Sequence, residues 1–227
     1  MRYFVTGATG FIGGEIARQL IAAGHEVVAL VRTPARATSL VALGATLAEG
    51  DITEKASLRE PMRGVDGVFH VAAWYELGID DTRLMERINI EGTRNVLEVM
   101  RELDVPKGVY TSSLAVFSDT KGRVVDESYR ADPAAGWLSA YDRTKWAAHY
   151  EVAQPMIEAG LPLVIAMPGL VYGPGDHSAF GESLRLYLQR RLPMLVRGTA
   201  YAWGHVEDIA HGHILAMQKG TPGESYI

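Results

Sequence analysis

Tyr141 and Lys145 stand four residues apart in the run Tyr-Asp-Arg-Thr-Lys (141–145). That spacing puts a phenol and an ammonium on one face of a helix. A phenol, with an ordinary pKa near 10, exchanges its proton too reluctantly at neutral pH. A cation within reach stabilises the phenolate and draws that value down, by about 1–3 units for a close opposite charge. Some thirty residues earlier, Thr111-Ser112-Ser113 ends a run (107–111) that reads as a buried strand. Ligands of open parallel sheets bind beyond the carboxyl ends of such strands. A serine hydroxyl there can hold a carbonyl oxygen while Tyr141 gives it a proton and a nicotinamide gives the carbon a hydride. That is carbonyl reduction without a metal.

The hydride donor has a candidate seat at the start of the chain. Thr6-Gly7-Ala8-Thr9-Gly10-Phe11-Ile12-Gly13 joins a β-rich run (2–6) to a helical pattern (11–23). Gly7, Gly10 and Gly13 allow a tight turn, backbone approach to a pyrophosphate, and close helix–strand contact. The free N–H groups of the first helical turn, which carries Phe11 and Ile12, then attract the phosphates. About twenty residues on, an NAD site usually offers a carboxylate to the ribose 2′-hydroxyl. This chain has Val31-Arg32-Thr33-Pro34-Ala35-Arg36 there. Arg32 and Arg36 suit a 2′-phosphate, so NADP is expected and NAD is the weaker alternative. Asp51-Ile52, just past the third strand, are expected to meet the adenine as an acceptor and an apolar lid.

These groups need a scaffold that gathers them. Apolar strands at 2–6, 26–31, 46–48, 67–71, 107–111, 162–166 and 225–227 alternate with helical patterns at 11–23, 35–43, 58–62, 82–103, 140–159 and 206–219. Such alternation predicts an α/β fold, a Rossmann-type doubly wound parallel sheet. Two stretches break the rhythm, 119–139 and 172–204, and both are candidates for the substrate side. The expected division is a dinucleotide-binding domain at 1–170, a substrate-lobe segment at 171–204, and a helix and strand returning to the sheet at 205–227.

Composition narrows the functional classes. The 227 residues carry 22 Lys+Arg against 27 Asp+Glu, a net charge of −5, and 48% are hydrophobic. An acidic balance without cationic clusters argues against nucleic acid or an anionic membrane as partner. The chain has no cysteine, so thiolate metal sites and cysteine nucleophiles are excluded. No apolar run approaches a spanning length, and a cytoplasmic protein is expected.

The chain resembles the extended short-chain dehydrogenase/reductase family, the NAD-dependent epimerase/dehydratase group. The likeness rests on the loop at 6–13, Gly50-Asp51-Ile52, His70-Val71-Ala72-Ala73, Asn89-Ile90-Glu91-Gly92-Thr93, Thr111-Ser112-Ser113, Tyr141 with Lys145, Pro168-Gly169-Leu170-Val171-Tyr172-Gly173-Pro174-Gly175, and His205-Val206-Glu207-Asp208. It implies a catalytic set of Ser113, Tyr141 and Lys145, with Asn89 in a structural or relay role. It also implies that Val71, Ala72 and Ala73 line the cofactor, that Pro168 and Gly169 flank the nicotinamide, and that Thr111 and Val171 belong to the same site. Ser113 is preferred over Ser112 because Leu114-Ala115-Val116-Phe117 follows it.

Within the family, Val31–Pro34 and Val109–Ser113 look most like the dihydroflavonol-4-reductase type, which implies reduction of a small-molecule ketone or aldehyde. Leu114 and Ala115 stand where the family's sugar dehydratases carry acids, and Ser118 stands where a glycine is usual. Family members continue well beyond this length, so the substrate-binding lobe is expected to be small and truncated, and family habit suggests a homodimer. Nucleotide-sugar epimerase and non-catalytic redox sensor are the alternatives. Tyr172, Phe180, Tyr187 and Trp203 favour an apolar or aryl substrate, whereas Arg185, Arg190, Arg191 and Arg197 in the same stretch could grip phosphates. His205, His211 and His213 are not expected to bind metal, since residues two apart do not share a helix face.

Overall fold

The computed structural model describes every residue from 1 to 227 except Leu77, Ile79, Leu195 and Val196. Strand β1 (Arg2–Thr6) runs into the glycine loop and helix α1 (Phe11–Ala22). Ile16, Ala17 and Leu20 recur at helical spacing and form the buried face of α1. Strand β2 (Glu26–Val31) follows, then a 3-10 turn (Pro34–Arg36), α2 (Thr38–Leu43), β3 (Thr46–Glu49), α3 (Ala56–Met62) and β4 (Gly67–His70). Helices α4 (Arg83–Glu86) and α5 (Thr93–Glu102) flank a π-turn (Arg87–Gly92), and backbone angles stay helical through both junctions.

Strand β5 (Gly108–Thr111) and a 3-10 turn (Leu114–Phe117) lead to a second rod of the same design. There α6 (Ala140–Ala147) and α7 (Gln154–Glu158) flank the π-turn Ala148–Ala153. Pro155 has no N–H to give this rod, and the widened turn before it accommodates the loss. The chain closes with β6 (Leu163–Ala166), β7 (Leu170–Tyr172), α8 (Ala179–Leu188), β8 (Trp203–His205), α9 (Val206–Lys219) and β9 (Ser225–Tyr226).

The main sheet has the order β3-β2-β1-β4-β5-β6-β9, with every pairing parallel. Apolar clusters cover both faces, which is why β2, β4, β5 and β6 are buried almost end to end. The expected doubly wound α/β fold is therefore observed. The stretch 172–204 departs from expectation. It is not irregular throughout: α8 lies inside it, and β7 pairs with β8 as a separate parallel ribbon. Both strands are three residues long and at most half-buried, too short to leave a periodic signal among the surrounding Gly and Pro. Helix 35–43 is split by its 3-10 start, and β4 stops at His70, one residue early. Among the described residues no helix is long and apolar enough to cross a membrane.

Three histidines lie inside this apolar frame. His70, His149 and His213 are each 2% exposed or less. The Thr93 hydroxyl donates to the Asn89 carbonyl at 2.7 Å, so its oxygen is free to accept from His70 Nε2 at 3.0 Å. His70 Nδ1 must then accept from the Thr6 hydroxyl at 2.8 Å, whose oxygen takes the Val71 and Ala72 amides at 3.2 Å each. His149 Nδ1 is 2.8 Å from Ser112 Oγ. His213 donates from Nδ1 to the Ile209 carbonyl at 2.7 Å and accepts the Thr111 hydroxyl at Nε2 at 3.0 Å. Each neutral imidazole ties a strand end to a helix.

Burial, aided by the Lys145 charge, pushes His70 and His149 down to about 3, and burial lowers His213 as well. The unfolded chain then takes up protons first on acidification, so stability is full above about pH 6.5 and declines as pH falls towards 3. Urea unfolding should show a loss of about 2 kcal/mol for each of His70 and His149 between pH 6.5 and 5. A flat profile over that range would contradict the buried, neutral assignment.

Candidate active site

The glycine loop is shaped by contacts that side chains would block. Gly7 takes φ 72°, and a Cβ there would lie 2.7 Å from the Ala72 nitrogen. A Cβ on Gly13 would lie 2.3 Å from the Gly7 carbonyl oxygen. The Gly10 amide donates to that same oxygen at 2.9 Å. Gly10 caps α1 without a side-chain hydrogen bond, and the first turn carries no acid. Bare amides and the positive end of a 12-residue helix thus face a cavity of about 1810 Å³ lined by Gly7, Gly10, Phe11, Ile12 and Gly13. A cradle this tight to a Cβ yet open to an anion fits a dinucleotide's pyrophosphate.

Arg32, exposed at the end of β2, also lines the cavity, as do Asp51 and Ile52. Asp51 Oδ1 accepts from the Thr53 amide and hydroxyl at 2.8 and 2.9 Å, fixing the turn. Ile52 packs so tightly on Gly92 that a Cβ there would come within 2.6 Å of its Cδ1. Arg36 does not join this group. The 3-10 turn Pro34–Arg36 leaves it exposed and off the cavity lining, because a tighter turn replaces the expected helix start.

At the other end of the cavity the carboxyl ends of β4, β5 and β6 converge. Val71, Ala72, Ala73, Thr111, Ser113, Pro168, Gly169 and Val171 line it together with Tyr141 and Lys145. Ser113 caps the 3-10 turn by accepting the Ala115 amide at 3.1 Å. Ser139 caps α6 by accepting the Asp142 amide at 3.1 Å, which starts the helix one residue before Tyr141.

One expectation fails here. Lys145 does not draw down the Tyr141 phenol. Its Nζ donates to the Thr111 carbonyl at 2.8 Å and to Tyr110 Oη at 3.2 Å instead. Burial pushes Tyr141 up to about 12, with the Ser113 hydroxyl acting the other way. Burial also brings Lys145 down to about 7. A phenol in this state keeps its proton at neutral pH and is a weaker acid than a free one.

For Asn89 a structural or relay role is expected. Asn89 is 1% exposed and off the cavity lining. Its Oδ1 accepts the Trp74 amide at 2.7 Å, and its Nδ2 donates to the Trp74 carbonyl and to Thr144 Oγ1 at 3.0 Å each. The Thr144 hydroxyl in turn donates to the Tyr141 carbonyl at 3.0 Å. Asn89 therefore acts through backbone, tying the loop after β4 to the helix of Tyr141.

Sequence reasoning missed Tyr110, Thr93, Thr144 and His149. The usable signal was polar side chains at otherwise apolar core positions. It also missed Tyr201, which lines the cavity with Phe180 and lies 6.1 Å from it, centroid to centroid. Tyr75 meets Tyr141 edge-on at 4.7 Å. Of the four aromatics proposed for the substrate side only Phe180 reaches the lining, and among the described residues none of Arg185, Arg190, Arg191 and Arg197 does.

Comparison with known proteins agrees with this architecture. The NAD dependent epimerase/dehydratase family description matches residues 3–227. A Synechocystis protein provisionally named dihydroflavonol 4-reductase is 37% identical over 99% of this chain and 66% of its own length. A Stigmatella aurantiaca 4-hydroxy-2-methyl-3-oxo-4-farnesyl-3,4-dihydroquinoline-1-oxide ketoreductase is 33% identical over 100% of this chain and 67% of its own. The chain thus spans about two thirds of the length of these curated relatives. The crystal structure of gox2253 superposes with a TM-score of 0.89 at 36% identity, covering 99% of this chain and 68% of that one. On these matches and this geometry, the chain belongs to the NAD-dependent epimerase/dehydratase family.

Proposed function

We propose that the chain is an NADPH-dependent reductase of an apolar or aryl ketone or aldehyde. The observation that carries this is a single cavity that runs from the glycine cradle to Ser113, Tyr141 and Lys145. A bound nicotinamide dinucleotide supplies a hydride. The protein's own part is to hold the carbonyl oxygen with the Ser113 hydroxyl and to protonate it from Tyr141. Lys145 supplies the positive charge of the corner, held by Thr111 and Tyr110, and Asn89 fixes the helix that presents the phenol. Arg32 favours a 2′-phosphate, although the Streptomyces venezuelae dTDP-glucose 4,6-dehydratase structure, at 27% identity, contains NAD. Residues 1–170 form the dinucleotide-binding part, 171–204 supply a wall for the substrate, and 205–227 return to the sheet.

Leu114 and Ala115 line the cavity and offer no acid for the extra proton transfers of dehydration. A UDP-glucose 4-epimerase of Streptomyces lividans, 28% identical, keeps epimerisation as the second reading. The deciding measurement is NADPH absorbance with aryl ketones and aldehydes set beside UDP-sugars. Net consumption with the former supports the reductase, and turnover of UDP-sugars alone overturns it. Tyr141→Phe should lose turnover by at least about 10²-fold while still binding NADPH. Undiminished activity would leave the phenol without a chemical role. Arg32→Ala should raise KM for NADPH about tenfold and leave NADH unchanged. Equal use of both cofactors by the parent protein would remove that argument. Because Lys145 is lowered to about 7 by burial and supplies the corner's positive charge only when protonated, reduction should be level below pH 7 and fall as pH rises above it. A rate rising through pH 8 would contradict this assignment.

A further inference from the structure

Ser118 takes φ 48° and ψ −126° at the end of the 3-10 turn Leu114–Phe117. Glycine adopts that region freely, and a side chain there is strained. Strained residues persist where surrounding contacts hold them, and the contacts of Ser118 are specific. Its hydroxyl donates to Asp142 Oδ2 at 3.1 Å, and its oxygen accepts the Leu138 amide at 3.1 Å. Asp142 Oδ1 meanwhile accepts from the Ser139 hydroxyl at 2.6 Å. One serine thus ties both ends of the excursion 119–138 to the first turn of α6, one residue beyond Tyr141.

The excursion forms part of the cavity wall. Thr120, Val124, Val125 and Leu138 line the space that Tyr141 faces. The middle of the loop has its own anchors: Tyr129 meets buried Phe117 edge-on at 5.5 Å, Trp137 lies 5.3 Å from Trp146, and Arg123 bonds Tyr129 Oη at 3.2 Å. Those contacts are aromatic or lie within the loop, whereas the link that joins its two ends is a hydroxyl bonded to a carboxylate and is charge-assisted.

We propose that Ser118 is a positioning residue whose hydroxyl clasps the two ends of 119–138 against Asp142 and so sets the wall that seats the substrate opposite Tyr141. This rests on the reductase reading for the identity of the substrate, but not for the clasp itself.

Two variants of the full chain separate hydroxyl from strain. Ser118→Gly removes both, and Ser118→Ala removes the hydroxyl but keeps the strain. Both should exchange the Leu138 amide about tenfold faster and be cut faster by trypsin after Lys121, Arg123 and Arg130. The glycine variant should melt at or above the parent temperature, and the alanine variant below the glycine one. With the best carbonyl substrate, KM should rise severalfold in both while kcat and the KM for NADPH hold within about twofold. Unchanged exchange and cleavage in both variants would overturn the clasp, as would a fall in kcat with KM unmoved. Should no carbonyl be reduced by the parent chain, the reductase reading fails alone, and exchange and proteolysis still judge Ser118.

Discussion

An ammonium that is 2% exposed and shares no ion pair among the described residues is the constraint around which this molecule is built. Removing such a charge from water is costly unless neighbouring groups replace its hydration. Lys145 finds two acceptors, the Thr111 carbonyl at a strand end and the Tyr110 hydroxyl, and lies 4.9 Å from the Tyr110 ring centroid. Neither acceptor is negative, so the charge is only partly compensated and the lysine stays close to losing its proton. The same burial raises the nearby phenol. One desolvated corner thereby holds a phenol that keeps its proton beside a cation near its titration point.

Inside that corner the links are neutral and polar, and the Arg143–Glu86 ion pair ties α6 to α4 on its exposed side. The line Thr6–His70–Thr93–Asn89–Thr144 crosses from the first strand to the helix of Tyr141, with donors and acceptors matched at each step. Charged groups in its place would need partners that an apolar interior does not supply. Asn89 lies in one π-turn and His149 in the other. Each widened turn carries a polar side chain that bonds at a strand end or the loop beyond it, in keeping with the association of π-turns with functional sites.

The cavity has two ends of different character. At the cradle, backbone amides and a helix terminus favour an anion, and absent side chains matter more than present ones. At the chemical end, Tyr75, Phe180, Tyr201 and the excursion 119–138 make walls that are largely uncharged.

The sequence by itself determined the sheet, the glycine loop and the Tyr141–Lys145 spacing through short-range rules, while the choice of Ser113 beside them came from the family resemblance. Apolar runs and 3.6-residue spacing fix strands and helices, glycine spacing fixes the loop, and strand ends fix where ligands lie. Only the tertiary structure decided that Lys145 bonds Thr111 and Tyr110, that Asn89 works through Trp74 and Thr144, and that Arg36 lies off the cavity lining. It alone revealed β7 and β8, whose pairing joins residues more than thirty positions apart. The physical reason is common to these cases. A side chain's hydrogen-bond partner and its loss of water depend on residues brought near by folding, and no spacing along the chain encodes them.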